Sequence, residues 1–269
     1  MLALALPIGL VIGLTLGALG GGGSILTVPA LVYLLGQDPR AATTGSLVIV
    51  GITALTGAVA HGRSGTVRLG QGLLFGGLGV AGAWFGTKLS TGVAPSILLT
   101  AFAVLMLAVA ALMVLRQRRA DRRGEQVDPS EEPFITFTPR FSCACPRVAK
   151  VVLTATAVGL LTGFFGVGGG FAVVPALVLA LGFSMPVAVG TSLVVITVNS
   201  ATALLARAGQ AVSVDWVLIG GFASAAILGS LLGGRLAARV RPELLARTFT
   251  VLLIVVAIYT AARSVPQLL

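Results

Sequence analysis

The residues in this chain with the clearest chemical potential are glycines. Gly20 to Gly23 form one unbroken cluster. Gly166 with Gly168 to Gly170 form a second, and each cluster runs on into Val-Pro-Ala-Leu. Glycine adopts backbone conformations closed to other residues. A helix broken at such a cluster leaves backbone N–H groups unpaired, and within a membrane these must line a protein-walled or watery cavity. A helix that starts just after the break turns its free N–H groups and the positive end of its dipole toward that cavity, which makes an anion site. Gly20, Gly22, Gly23, Gly166, Gly168, Gly169 and Gly170 are therefore candidate substrate-binding residues. The competing role is close helix packing of the small-xxx-small kind, as in Gly13-xxx-Gly17 and Gly159-xxx-Gly163, and both roles can hold at adjacent glycines. No Lys-Ser or Lys-Thr follows either cluster, which argues against a phosphate-binding P-loop.

Hydroxyls and one amide cluster near the same points: Ser24, Thr43, Thr44, Ser46, Thr53, Thr191, Ser192, Thr197 and Asn199. Neutral donors of this kind bind an anion without burying a permanent cation. Thr191 and Ser192 stand near the expected start of a helix, where side-chain donor and dipole would add. Ser24, Thr44, Ser46, Thr191, Ser192 and Asn199 join the glycines as candidate binding residues. The alternative for Ser and Thr is a hydrogen bond to the preceding helix turn. Asn199 falls mid-segment, where an unpaired amide is costly; it bonds a neighbouring helix or faces the pathway.

Other chemistries are poorly supplied. Asp38, Asp215 and Glu243 all sit at the ends of apolar segments, so no buried carboxylate offers itself as a proton relay. His61 is expected at an interface beside Arg63, although proton coupling stays open. Arg207, Lys88 and Arg235 are expected to snorkel to interfaces, the alternative being to draw anions to the pore mouths. Cys143 and Cys145 lack the further ligands that a zinc site needs. Neither a cofactor, a metal nor an enzymatic constellation is implied.

The elements that position these residues follow from composition. The chain has 269 residues, 57% hydrophobic and 10% charged, with a mean hydropathy of +1.05. A soluble domain carries roughly 25% charged residues, so the expectation is an all-α, polytopic helical membrane protein. The net charge of +10 is read as topology signal and not as nucleic-acid binding. Gly17 to Leu31 matches Gly163 to Leu177, Pro29 falling on Pro175 at an offset of 146 residues, and the match continues through Thr44-Gly45-Ser46 and Gly190-Thr191-Ser192. Residues 1–115 and 151–269 are thus two homologous membrane repeats, joined by a hydrophilic linker, 116–150.

Each repeat divides into five apolar segments: 3–20, 24–36, 42–60, 69–88 and 96–115, then 151–166, 170–182, 187–206, 213–232 and 244–262. The second of each five is too short to span comfortably. Short, glycine-interrupted segments at matching places in two halves point to a transporter's binding site. The linker carries seven Arg and one Lys, which places it in the cytoplasm of an inner-membrane protein. The Arg-rich loop shifts by one connection between halves, from 61–68 to 235–241, as inverted repeats with an odd number of crossings require. Six and ten crossings both satisfy that parity, and oligomerisation is left open.

The duplicated glycine-rich element with Val-Pro-Ala-Leu, together with Gly190-Thr191-Ser192-Leu193, resembles the TauE/SafE sulfite exporter family across both halves. The resemblance implies a membrane transporter of small organic or inorganic anions, often sulfur-containing: sulfite, sulfoacetate and other sulfonates. Thr44-Gly45-Ser46 departs from its counterpart in the second half, so the halves are expected to contribute unequally. The partners implied are a small anion and the lipid bilayer. The rival readings are an anion channel and a non-transporting membrane scaffold.

Overall fold

The computed structural model describes residues 2–93, 95–123, 145–166, 169–208 and 215–264. Within them the chain is helical. The first half holds α1 (Leu2–Leu19), α2 (Gly22–Pro29), α3 (Pro39–Arg63), α4 (Leu69–Ser90) and α5 (Pro95–Arg123). The second holds α6 (Cys145–Phe165), α7 (Gly170–Leu181), α8 (Met185–Ala206), α9 (Trp216–Ala237) and α10 (Pro242–Ser264). The expected segments all become helices, with α5 running eight residues past its expected end at 115 and α6 starting six residues before its expected start at 151. Five helices are long and apolar enough to cross a membrane: α3, α5, α8, α9 and α10. The segment expected at 69–88 becomes α4. It has the length, but its many glycines dilute its hydropathy and it is not among the five. Residues 124–144, which include most of the linker and Cys143, lie outside the described residues.

Local chemistry sets the helix ends. Asp38 accepts hydrogen bonds from the Arg40 and Ala41 amides at 2.9 and 3.3 Å, with Pro39 in the first helical position of α3. Asp215 does the same for α9 through the Val217 and Leu218 amides at 3.1 Å. Such caps satisfy first-turn amides that have no intrahelical partner. Beyond α2 the helix widens into a π turn, Ala30–Leu34, where the Leu35 N–H reaches the Ala30 carbonyl at 3.1 Å. The turn follows Pro29, whose ring crowds the preceding helix and which has no N–H to donate.

The packing is organised by exchange between halves. The fourth helix of each half lies against the first helix of the other, α4 on α6 and α9 on α1, while α3 crosses α8 and α5 packs on α10. On α1 and α9 the contacts climb together: Gly9 meets Phe222, Gly13 meets Ala226 and Gly17 meets Ser230. The two helices are therefore parallel. Gly159 meets Gly79 and Gly163 meets Ala83, so α6 and α4 are parallel as well. At these points a Cβ would strike the partner's backbone, so only glycine permits the approach. Gly45 and Gly57 of α3 meet Ile219 and Ser230, so α3 follows α9; Gly72 and Gly76 of α4 meet Thr191 and Val198, so α4 follows α8. Between α3 and α8 the order reverses, Gly51 beside Ser200 and Gly57 beside Leu193. Hence α1, α3 and α9 run one way and α4, α6 and α8 the other. Each of α1, α3 and α4 opposes its counterpart in the second half.

The interior is closed by large side chains, with Phe102 ringed by Phe165 and Phe171 at centroid distances of 5.5 and 5.2 Å. Phe85, Leu153, Val217 and Val255 are exposed on the outer faces. An apolar exterior of this kind is stable against lipid and not against water.

Candidate functional site

The two glycine clusters become two helix-to-helix turns. Gly20, Gly166 and Gly169 hold φ of +68°, +65° and +69°, conformations that disfavour any side chain. They reverse the chain between α1 and α2, and between α6 and α7. The two turns meet. A Cβ on Gly21 would collide with the Gly170 carbonyl, and one on Gly170 would collide with Ser24 Oγ and Gly21 Cα. Ser24 and Gly170 are equivalent positions in the two repeats. Equivalent residues that touch lie on the axis relating the halves, so the turns converge on that axis. Gly20 to Ser24, Gly166, Gly169 and Gly170 are all buried. Gly168 lies outside the described residues.

Just past each turn a helix begins, α2 at Gly22 and α7 at Gly170, and neither start has a side-chain cap. First-turn amides have no intrahelical acceptor, and the helix dipole adds positive potential there. Two buried, uncapped starts at one axis are suited to an anion.

The hydroxyls bond backbone carbonyls, mostly of the preceding helix turn. In this conformation they donate to the protein. Ser24 bonds the Gly21 carbonyl at 2.7 Å, Thr44 the Arg40 carbonyl at 3.0 Å and Ser192 the Val189 carbonyl at 2.7 Å. Ser46 bonds the Thr43 carbonyl at 2.9 Å and also the Gly166 carbonyl at 2.5 Å, 120 residues away. The equivalent pair, Ser192 and Gly20, is also in contact. Ser46 thus braces the other half's turn, and Ser192 packs against its counterpart. Thr191 is two turns inside α8, not at its start, and its hydroxyl accepts from the Arg68 amide at 3.1 Å. Asn199 faces Gly79 of α4 near the Ala155 carbonyl of α6, with both amide atoms buried and unpartnered among the described residues. Its equivalent, Thr53, is also buried, and its hydroxyl has no partner among the described residues.

Two residues depart from the sequence expectation in position. His61 is buried, with Nε2 2.8 Å from the Gly17 carbonyl and Nδ1 3.3 Å from Thr66 Oγ1. The carbonyl can only accept, so Nε2 carries the hydrogen. Arg207, the equivalent of His61, does not snorkel outward. Its Nη1 donates to the hydroxyls of Thr43 at 3.0 Å and Thr44 at 3.2 Å, and Nη2 lies against the Gly166 turn. The one sequence signal for this pair was their shared place in the repeat. A separate hollow of about 470 Å³ between α1, α2 and α10 is lined by apolar side chains such as Ile12, Pro29 and Leu34, which offer an anion nothing.

Residues 5–260 match the model of a family described as sulfite exporter TauE/SafE. A probable membrane transporter protein of Xylella fastidiosa (strain 9a5c) is 34% identical over 260 residues, covering 94% of this chain and 92% of its own. The probable membrane transporter protein YunE of Bacillus subtilis (strain 168) is 28% identical over 265 residues, at 93% and 92% coverage. Its companion YdhB, from the same organism, is 30% identical over 185 residues, at 69% and 70%. No solved structure matches the chain.

Proposed function

The chain belongs to the sulfite exporter TauE/SafE family of membrane transporters, and on that premise we propose that it is a secondary carrier of small sulfur-containing anions. Sulfite, sulfoacetate and related sulfonates form the substrate class. The observation that carries this reading is the meeting of two uncapped helix starts at the axis between the halves. Backbone amides there offer an oxyanion several neutral donors. The glycines leave the backbone itself as the wall of the site.

Inverted halves account for the antiparallel relation between equivalent helices. With inverted repeats the axis lies in the membrane plane, so residues on it sit at mid-depth. Gly234 of α9 lies beside His61 at the end of α3, which puts the two basic loops, 61–68 and 235–241, at one end of the molecule. The positive-inside rule makes that end, with the linker, cytoplasmic in a cell-membrane protein. Alternating access then comes from rocking one half against the other. The hydroxyls that now bond protein carbonyls would turn to the substrate as the turns part.

Proteoliposomes test this. Labelled sulfite, sulfoacetate and sulfate are offered with and without an imposed pH gradient. Saturable uptake of at least one, with counterflow when unlabelled anion is trapped inside, is the expected result. Uptake that never saturates and shows no counterflow would mean a channel. Movement of none of the three would remove the substrate class.

A further inference from the structure

We propose that Arg207, with Thr43, Thr44 and the Gly166 turn, forms an anion-binding subsite at the end of the molecule opposite the basic loops. The proposal rests on the anion-carrier reading and gives it a charged recognition group. Arg207 follows α8 directly, and α8 and α3 run in opposite directions, so the last turn of α8 meets the first turns of α3. Two Thr hydroxyls there fix the guanidinium through a single nitrogen, Nη1. Its other edge has no hydrogen-bond partner among the described residues. Nε is buried with no hydrogen-bond partner, and Nη2, on the same edge, has none among the described residues.

A buried donor edge without an acceptor is unfavourable, and an oxyanion would supply one. A guanidinium presents two parallel N–H groups along Nε and Nη2, a fork that matches two oxygens of an oxyanion. A partly buried cation with no counter-charge is unfavourable by itself, and an anion relieves it. Carboxylates do not fill the role here. Asp38, which caps α3, already accepts from the Arg40 and Ala41 amides, and among the described residues Arg207 makes no ion pair. The position is also next to the central site. Gly166, against which Nη2 lies, belongs to the turn that meets Gly21 through Gly170, and its carbonyl is held by Ser46. An anion bridging Arg207 and the first amides beyond that turn would be one step from the axis. The equivalent residue in the first half is His61, so only the second half carries a guanidinium at this place in the repeat.

Half-saturation for labelled sulfite in proteoliposomes tests the subsite, together with the rise in Tm that sulfite produces in the detergent-solubilised protein. Arg207→Gln should raise half-saturation about tenfold or more and abolish the Tm rise. Arg207→Lys, which keeps the charge and loses the fork, should fall between. A Thr43→Val/Thr44→Val double variant keeps the guanidinium but unfastens it, and should raise half-saturation roughly threefold. Unchanged half-saturation and an unchanged Tm rise in Arg207→Gln would overturn the subsite and leave the carrier reading standing. If Arg207→Gln does not assemble, the same null result in the double variant overturns it. A wild type that moves no sulfite but gains an Arg207-dependent Tm rise would support the subsite and sink the carrier reading.

Discussion

Ser46 shows how much one side chain settles. Its hydroxyl reaches both its own helix, at the Thr43 carbonyl, and the other half's turn, at Gly166. Removing it leaves a buried carbonyl short of a donor, which costs about 1 kcal/mol or somewhat more. Ser46→Ala should therefore lower Tm by a few degrees and slow uptake, as thermal unfolding and transport assays on one preparation would read; unchanged values in both would deny it the bracing role. The acids carry a contrasting expectation. Asp38 and Asp215 are caps, so Asp38→Ala and Asp215→Ala should each cost about 1 kcal/mol of stability. Any response of uptake to a pH gradient should survive both, and its loss would make one of them a proton carrier. That these acids sit at segment ends was legible, because apolar runs bounded them. The orientation of the hydroxyls was not. A serine's rotor is chosen by whichever carbonyl or anion is nearest, and the nearest carbonyl to Ser46 comes from the other half. The burial of His61 was hidden for the same reason, since its partner at Nε2 is the Gly17 carbonyl of a different helix.

At the scale of elements, glycine sets which helices touch. Gly13 and Gly17 let α1 approach the backbone of α9, and Gly159 and Gly163 do the same for α6 on α4. Close backbone approach brings Cα–H groups to carbonyls and multiplies dispersion contacts, each small and collectively large. A leucine at any of these positions forces the pair apart. Gly13→Leu and Gly159→Leu should therefore impair assembly to a similar degree, because the two interfaces are equivalent; size-exclusion yield of the two variants is the measure. A large effect of one alone would mean that the interfaces are not energetically matched. The helices themselves were readable from apolar run length, and the breaks from glycine clusters and proline. Which helix packs on which was not. The repeat identifies α1 with α6 and α4 with α9, yet the contacts join α1 to α9 and α4 to α6. Equivalence in sequence says nothing about adjacency, which only the closed assembly decides.

For the whole molecule, the contact registers make a topological prediction. With Cys143 and Cys145 replaced by serine, single cysteines at Ser64 and Arg239 should react from the same side of the membrane, and one at Thr91 from the opposite side. An impermeant maleimide on intact cells and on inverted vesicles separates the two cases. Labelling of Ser64→Cys and Arg239→Cys from opposite sides would support parallel halves and remove the axis from mid-depth. The antiparallel order of equivalent helices has its counterpart in the shift of the basic loop between halves, a signal that survives in sequence because charge placement follows topology and not packing. The central claim is that the anion passes where the two glycine turns meet, and labelled sulfite uptake by wild-type and Gly170→Ala protein in proteoliposomes tests it most directly. One methyl there strikes Ser24 Oγ and Gly21 Cα across the axis. The account predicts saturable uptake by the wild type, and its collapse in a variant that still inserts and purifies as a folded protein. Equal uptake by both would contradict it.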